Sequence, residues 1–243
     1  MVEGLDRFKK HFASHTNQYV LIGGVACTIV LEKLGLSFRA TKDLDVVLTI
    51  EVLDKGFSKV FHQFINMGEY QVQESSSVKQ HFYRFKSPKD SSFPAMLELF
   101  SRKPDAIELK KGRLTPIPID DKLESLSALL LDDDSYRLIH EGKRVIDGLS
   151  VASPIALVVL KAHACVNFLA ADKQSDARKH KNDVIRLYQL LSSNDRIYLD
   201  PSKKAMMEKF IESLIKDPPD FKNLRVKRSL EEVIKNLRQL FNL

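Results

Sequence analysis

Long apolar runs and cysteines are scarce in this sequence. The longest apolar runs, such as residues 155–160, are far shorter than the roughly 20 residues that a membrane-spanning helix needs. The N-terminal segment is charged and amphipathic, unlike a secretion signal. Cys27 and Cys165 each lie in an apolar helical pattern, where a buried thiol is commoner than a disulfide or a metal ligand. These features predict a cytoplasmic protein with no membrane partner.

Several common motifs are also absent. The sequence contains no GxSxG, Walker A or GxGxxG pattern, which argues against the hydrolase, P-loop and dinucleotide-binding classes. It shows no internal repeat and no low-complexity stretch. Hydrophobic residues at 44% and charged residues at 29% are typical of globular proteins, so the composition indicates neither disorder nor a fibrous repeat.

The net charge of +6 is unevenly distributed. Residues 201–243 contain ten Lys or Arg against six Asp or Glu, and residues 102–113 contain five against two. Both stretches could lie along a phosphate backbone, or they could be a solvated helix face and a charged loop.

Hydrophobic periodicity predicts a mixed first half and a helical second half. The first half alternates between the two types, with helices at residues 1–12, 25–34 and 57–65 and strands at 19–22, 43–50, 81–86, 95–101 and 113–117. Short strand candidates follow at 126–131, which could equally be helical, and at 136–140 and 144–146. The second half is predicted as helices at 154–173, 177–191, 202–216 and 229–241, the first of them opened by Ser153 and Pro154. The pattern indicates an α+β fold with two domains, residues 1–150 and 151–243.

The first candidate site residues are two aspartates at the start of a strand. Strand alternation places Leu44 and Val46 on one face and Asp43 and Asp45 on the other. Two neighbouring carboxylates repel each other unless a cation lies between them or the face is well solvated. A divalent ion would satisfy this pair; the alternative is a strand end at which one aspartate caps a turn.

Glu98 is the third candidate. It lies in a strand that is otherwise apolar on both faces, and such a strand is usually interior. A buried carboxylate normally binds a cation or takes up a proton, although an edge strand with Glu98 at its rim is also possible. If Glu98 lies beside Asp43 and Asp45, three carboxylates could hold two Mg2+ ions about 4 Å apart, as in enzymes that catalyse in-line attack on phosphates.

Gly23 and Gly24 join the first strand to the following helix. Glycines let the backbone approach a phosphate closely, and the free N–H groups of a helix N-terminus favour an anion. A Gly-Gly turn by itself is more often explained by tight packing. Its position, before the strand that carries Asp43 and Asp45, would place a triphosphate over the metal ions.

Together these residues resemble the polymerase beta-like nucleotidyltransferase superfamily, in which a glycine turn, a helix, a DxD strand and a later carboxylate occur in this order. Residues 19–26 and 39–45 look like the AbiEii/AbiGii toxin type, where a GGxA turn precedes an R-x-T-x-D-L-D segment. The resemblance implies a small mixed sheet core with flanking helices, followed by a mainly helical domain. Arg39 and Thr41 in this segment could stabilise a leaving pyrophosphate or cap the strand.

The same resemblance extends to the helical half. Lys161 matches a family lysine that contacts the nucleotide triphosphate, although a helix-surface lysine is the alternative. Asp183 matches an aspartate that positions this lysine or the acceptor. His180 stands where the family usually has an aspartate, and the family's arginine shortly after the lysine has no clear match, so acceptor or base preference could differ.

The implied activity is transfer of a nucleoside monophosphate from an NTP to an acceptor hydroxyl with Mg2+ (or Mn2+) as cofactor. The resemblance further implies an RNA acceptor, such as a tRNA 3' end, and the role of a toxin with a cognate antitoxin. One alternative is a small-molecule acceptor such as an aminoglycoside, for which the cleft should be acidic. Another is a catalytically silent nucleotide-binding or RNA-binding protein of the same fold.

Overall fold

The structure is a computed structural model that describes residues 2–72, 83–103, 114–116, 127–192 and 196–243. The chain divides into two compact units. The first contains residues 1–33 and 39–153, and the second contains residues 34–38 and 154–243. The segment at residues 34–38 therefore groups with the helical second unit, although it lies between two elements of the first.

The described residues of the first unit form four helices and nine strands. The helices are α1 (Leu5–His11), α2 (Gly23–Glu32), α3 (Lys55–Met67) and α4 (Asp133–His140), and a short 3-10 turn follows α1. The strands are β1 (Tyr19–Ile22), β2 (Asp43–Leu48), β3 (Gln71–Val72), β4 (Arg84–Lys86), β5 (Met96–Ser101), β6 (Leu114–Pro116), β7 (Ser127–Leu130), β8 (Arg144–Ile146) and β9 (Leu149–Val151). The ends of three predicted strands, at residues 81–82, 113, 117 and 126, lie outside the described residues, as do residues 104–113 of the basic stretch.

The strands form one mixed sheet in the order β3-β4-β5-β2-β1-β9-β8, with β7 also pairing with β5 and β6 with β7. β2 lies at its centre, antiparallel to β1 and parallel to β5. Because β1 and β2 run in opposite directions, the end of β1 at Ile22 and the start of β2 at Asp45 lie side by side at one edge of the sheet. This edge contains the candidate site.

An aromatic layer covers one face of the sheet. Phe8 of α1 packs against Tyr19 of β1, with ring centroids 5.3 Å apart, and Phe61 of α3 packs against Phe85 of β4 at 5.4 Å. Strand alternation puts Leu44 on this face as well, and it is buried. Burial of large aromatic side chains stabilises the unit. The odd-numbered positions at the start of β2, which carry the aspartates, therefore belong to the opposite face.

Residues 136–140, which alternation predicts as a strand, form the last part of helix α4. Asp132 caps this helix, since its carboxylate accepts a hydrogen bond from the backbone N–H of Ser135 at 2.8 Å. Two further aspartates in the first turn favour the positive end of the helix dipole. The strand prediction was wrong because the capping aspartate and the acidic first turn favour a helix over these eight residues.

Tyr136 attaches α4 to the end of β2. Its hydroxyl donates to Glu51 at 2.6 Å and accepts from the backbone N–H of Ile50 at 3.1 Å. Arg102 donates to the other oxygen of Glu51 at 2.9 Å. The ring of His140 lies 4.2 Å from the Tyr136 ring. Four ionisable side chains thus meet at the far end of β2 from the candidate site.

The second unit is helical, with helices α5 (Pro154–Ala170), α6 (Gln174–Tyr188), α7 (Pro201–Lys216) and α8 (Leu230–Phe241). α5 packs against α6 and α7. Lys181 of α6 is buried, and its ammonium donates to the carbonyls of Ser213 and Asp217 and to the Asp217 carboxylate at 2.8–3.0 Å. Three acceptors at the end of α7 compensate for burial of this charge.

The predicted fold class is confirmed: a small mixed sheet with helices is followed in the chain by a mainly helical part. No helix within the described ranges is long and apolar enough to cross a membrane.

Candidate functional site

β2 presents Asp43 and Asp45 on the face opposite the aromatic layer. Leu44 and Val46, which alternate with them, are each 1% exposed, whereas Asp43 is exposed and Asp45 is half-buried. The buried neighbours fix the rotation of the strand, so both aspartates are held on one face at its start. Asp43 and Asp45 thus lie on one face of β2, as strand alternation predicts.

Glu98 lies on the same face, one strand away. In the parallel pairing of β2 with β5, Asp45 is directly opposite Glu98 and Asp43 is opposite Met96. Neighbouring strands lie about 4.8 Å apart, and directly opposite residues point to the same face. The sheet register therefore brings together the three carboxylates that the sequence singled out.

Glu98 has a cationic partner within the sheet. Arg84 of β4 is directly opposite Glu98 on the other side of β5. Its Nε donates to Oε1 of Glu98 at 2.6 Å, and one terminal nitrogen contacts the same oxygen. Glu98 is only 9% exposed, so a neighbouring cation is needed to compensate for its burial. Sequence analysis predicted that a buried Glu98 binds a cation or takes up a proton, but it did not find Arg84, whose pairing is set by strand register.

Asp43 and Asp45, rather than Glu98, are arranged to bind a divalent cation. Asp43 and Asp45 supply two oxygen donors on one face, as a hard cation prefers. Within residues 2–72, 83–103, 114–116, 127–192 and 196–243, however, no group of three or more His, Cys, Asp or Glu side chains is arranged to hold a metal ion. The aspartate pair therefore fits a divalent ion, while Glu98 is arranged as the partner of Arg84.

The Gly-Gly turn packs directly against β2. Gly23 has a φ of +69°, and a Cβ atom there would overlap Oδ2 of Asp45 and lie 2.8 Å from its Cγ. A Cβ atom on Gly24 would overlap Oγ1 of Thr41 and lie 3.0 Å from its Cβ. Both glycines are thus required by the close approach of the segment that carries Thr41 and Asp45.

The same turn is the start of α2. The N-cap residue of this helix is Ile22, whose side chain makes no capping hydrogen bond. The first backbone N–H groups of a helix have no partner within it, and with the helix dipole they favour an anion. An uncapped helix N-terminus beside Asp45 is consistent with the predicted phosphate site.

Arg39 and Thr41 lie in the segment that leads into β2, and both are half-buried. A terminal nitrogen of Arg39 lies 3.5 Å from the carbonyl oxygen of Ala40. Thr41 lies against Gly24 at the start of α2, beside the glycine turn.

In the second unit, Lys161 of α5 and Asp183 of α6 form an ion pair. The Lys161 ammonium is 3.3 Å from Oδ2 of Asp183, and the side chains are 7% and 0% exposed. Arg186 of α6 lies 3.7 Å from Oδ1 of the same carboxylate. Lys161 is thus not a helix-surface lysine, because its ammonium is buried against the carboxylate of Asp183. Sequence analysis missed Arg186, although its spacing of three residues from Asp183 on a helix was a usable signal.

Comparisons with known proteins give remote structural similarity. No family model matches the sequence, and no curated protein matches it. An antigenic nucleotidyltransferase-like protein from Paracoccidioides brasiliensis is 14% identical with a TM-score of 0.45, covering 96% of this chain and 98% of that one. A candidate nucleotidyltransferase from Helicobacter pylori is 14% identical with a TM-score of 0.41, covering 96% and 88%. JHP933 from Helicobacter pylori is 13% identical with a TM-score of 0.39, covering 96% and 85%. Similarity this remote carries no argument about function, so the function is inferred from the residues of this chain.

Proposed function

We propose that this protein is a nucleotidyltransferase that moves a nucleoside monophosphate from an NTP to an acceptor hydroxyl. The observation that carries the proposal is the position of Asp45, which is opposite Glu98 in the sheet and in contact with Gly23. Carboxylates for a cation and an uncapped helix N-terminus for phosphates therefore share one edge of the sheet.

In the proposed reaction, the acceptor oxygen attacks the α-phosphorus of the NTP. A new P–O bond forms, the bond to the bridging oxygen of the β-phosphate breaks, and pyrophosphate leaves. Asp43 and Asp45 would hold Mg2+ (or Mn2+), which when bound neutralises phosphate charge and lowers the pKa of the acceptor hydroxyl. Glu98 faces the same side and would take the acceptor's proton.

The remaining candidate residues would bind and orient the NTP. The backbone N–H groups at Gly23 and Gly24 would hold phosphate oxygens, and Arg39 and Thr41 would stabilise the pyrophosphate as it leaves. Lys161 would add a positive charge for the triphosphate, and its contact with Asp183 fixes its direction. Catalysis of this kind depends mostly on positioning and electrostatic stabilisation.

For the acceptor we propose RNA, with a tRNA 3' end as the first candidate, and for the biological role a toxin with a cognate antitoxin. The support is the resemblance of residues 19–26 and 39–45 to the toxin type and the excess of Lys and Arg over Asp and Glu in residues 201–243. A basic surface attracts a phosphate backbone.

The test is incubation with Mg2+, each α-labelled NTP in turn and total tRNA. We expect label to appear on RNA with the parent protein and to be lost with Asp43→Asn and Asp45→Asn. Asp147→Asn is the matched control, because Asp147 is an exposed turn residue with a positive φ that asparagine also adopts. Folded Asp43→Asn and Asp45→Asn proteins that transfer label as well as the parent would refute the mechanism.

A second candidate is a silent nucleotide-binding or RNA-binding protein of the same fold. The Arg84–Glu98 ion pair favours it, because a carboxylate held by arginine is a weaker ligand for a metal ion. Isothermal titration with Mg2+ and NTPs separates the two candidates when combined with the labelling assay. Binding without transfer to RNA, to small hydroxyl acceptors or to protein would establish the silent binder.

A further inference from the structure

Asp183 lies between two cations. Its carboxylate is fully buried, with the Lys161 ammonium 3.3 Å from Oδ2 and a terminal nitrogen of Arg186 3.7 Å from Oδ1. Arg186 follows Asp183 by three residues in α6, so the two side chains lie on the same side of that helix. Lys161 and Arg186 therefore both contact this one buried carboxylate.

The two cations differ in exposure. The Lys161 side chain is 7% exposed, whereas the Arg186 side chain is 24% exposed. A guanidinium has five N–H donors, more than one carboxylate oxygen can accept. Its planar fork also matches two oxygens of a phosphate, which the compact ammonium of lysine cannot do. Arg186 is therefore the better placed of the two cations to meet an anion that arrives from solvent.

We propose that Arg186 is a phosphate ligand. Asp183, which contacts both Arg186 and Lys161, holds the two cations in position. The identification of the anion as the triphosphate of an NTP rests on the proposed function, but the cluster itself would bind any polyphosphate. In the alternative, Arg186 only neutralises Asp183, and its loss would lower stability without changing the affinity for polyphosphate.

The test is isothermal titration of the full chain with inorganic tripolyphosphate and, separately, with each NTP and Mg2+. Arg186→Gln should weaken tripolyphosphate binding by about tenfold or more, since a charge-assisted contact is lost. Arg137→Gln is the matched control. Arg137 of α4 also pairs with an aspartate three residues before it in a helix, Asp134, at 3.0 Å, but both members of this pair are exposed and neither is in a proposed binding site. It should bind as the parent does.

Arg186→Lys tests the proposal even if the glutamine variant does not fold. It keeps the positive charge beside Asp183 and removes only the planar guanidinium. It should fold and bind tripolyphosphate several times more weakly than the parent. Equal affinity of the parent and the folded Arg186 variants, or no tripolyphosphate binding by the parent, would overturn the proposal. Because tripolyphosphate contains no nucleoside, Arg186-dependent binding in a protein that transfers no label would refute the proposed function while leaving this site in place.

Discussion

Asp45 and Gly23 are in direct contact, so that the backbone at the start of α2 occupies the space beside the aspartate's carboxylate. The glycine turn and the aspartate strand are therefore one packed unit. A change at either residue displaces the other, which links the proposed phosphate site to the proposed metal site.

Gly23→Ala should destabilise the first unit and abolish nucleotide transfer. The new methyl group would overlap Oδ2 of Asp45, and the φ of +69° is unfavourable for alanine. Gly35→Ala is the matched control, since Gly35 has a φ of +71° but no atom within 4 Å of the added Cβ. Thermal unfolding should show a loss of about 1 kcal/mol for the control and clearly more for Gly23→Ala. Equal losses would show that the contact with Asp45 is unimportant.

Glu98→Gln separates the two roles that Glu98 could have. Glutamine keeps an oxygen that accepts from Arg84, so the variant should fold, but it removes the charge that a metal ion needs. If Glu98 is a metal ligand or the base, Mg2+ affinity or the rate of transfer should fall by at least tenfold. If Glu98 only neutralises Arg84, both should be within about threefold of the parent protein, and free energies of unfolding should show a cost of about 1–2 kcal/mol.

Much of the fold and of the candidate site could be predicted from the sequence, because these features depend on local patterns. The period of two in residues 43–48 gives the strand and the face of its aspartates, and the uninterrupted run after Pro154 gives a long helix. Partners set by register or by tertiary packing are not accessible in this way. Arg84 is fourteen residues from Glu98 and meets it only because β4 pairs with β5 in one register.

Short elements fail for a related reason. β9 has three residues, too few for a period to be recognised, yet it pairs with β1 at the centre of the sheet. The strand predicted at 136–140 is part of a helix because the cap at Asp132 and the acidic first turn precede the alternating residues. Pairing within the sheet therefore decides β9, whereas a sequence signal upstream of the alternating residues decides α4.

The contact between Tyr136 and Glu51 should make stability depend on pH in the acid range. Burial alone would raise the pKa of Glu51, but the hydrogen bonds from Tyr136 and Arg102 outweigh it and lower that pKa below its usual value. A carboxyl group with a lowered folded-state pKa stabilises the fold above its unfolded-state pKa of about 4.5 and loses this contribution as the pH falls. Tyr136→Phe should therefore lose less stability than the parent between pH 5 and pH 3.

Tyr70→Phe is the control for that series. The Tyr70 hydroxyl donates to the carbonyl of Pro94 at 2.6 Å, so this variant also loses a hydrogen bond, but one that involves no carboxylate. Urea unfolding at pH 7 should show a cost of about 1 kcal/mol for Tyr70→Phe and about 1–2 kcal/mol for Tyr136→Phe, whose lost hydroxyl makes two hydrogen bonds. A flatter pH profile for Tyr70→Phe than for Tyr136→Phe would contradict the assignment.

His140 should make stability depend on pH in a higher range than Glu51 does. Burial and then the charge of Lys143 lower the pKa of His140 from 6.5 to about 4. The unfolded chain therefore binds a proton between pH 6.5 and pH 4 that the folded chain does not, and stability falls as the pH is lowered through this window. His140→Gln should remove about 1 kcal/mol of the loss between pH 7 and pH 5, allowing for partial exposure. The exposed His163 provides the control, and unfolding that is equally pH-dependent in His140→Gln and His163→Gln would rule the mechanism out.

Lys181 should be essential to the stability of the second unit although it is not proposed to meet the nucleotide. Its ammonium is buried and donates to two carbonyls and one carboxylate at the end of α7, so Lys181→Met leaves those carbonyls without their donor. The expected cost is about 2–4 kcal/mol in urea unfolding. Lys179→Met changes an exposed lysine on the same helix and should cost less than about 0.5 kcal/mol.

Because Lys181 also lowers the pKa of the Asp217 carboxyl, the parent should lose part of this stability advantage below pH 4, and Lys181→Met should not. A methionine variant as stable as the parent at pH 7 would mean that the three contacts do not compensate for the burial of the charge.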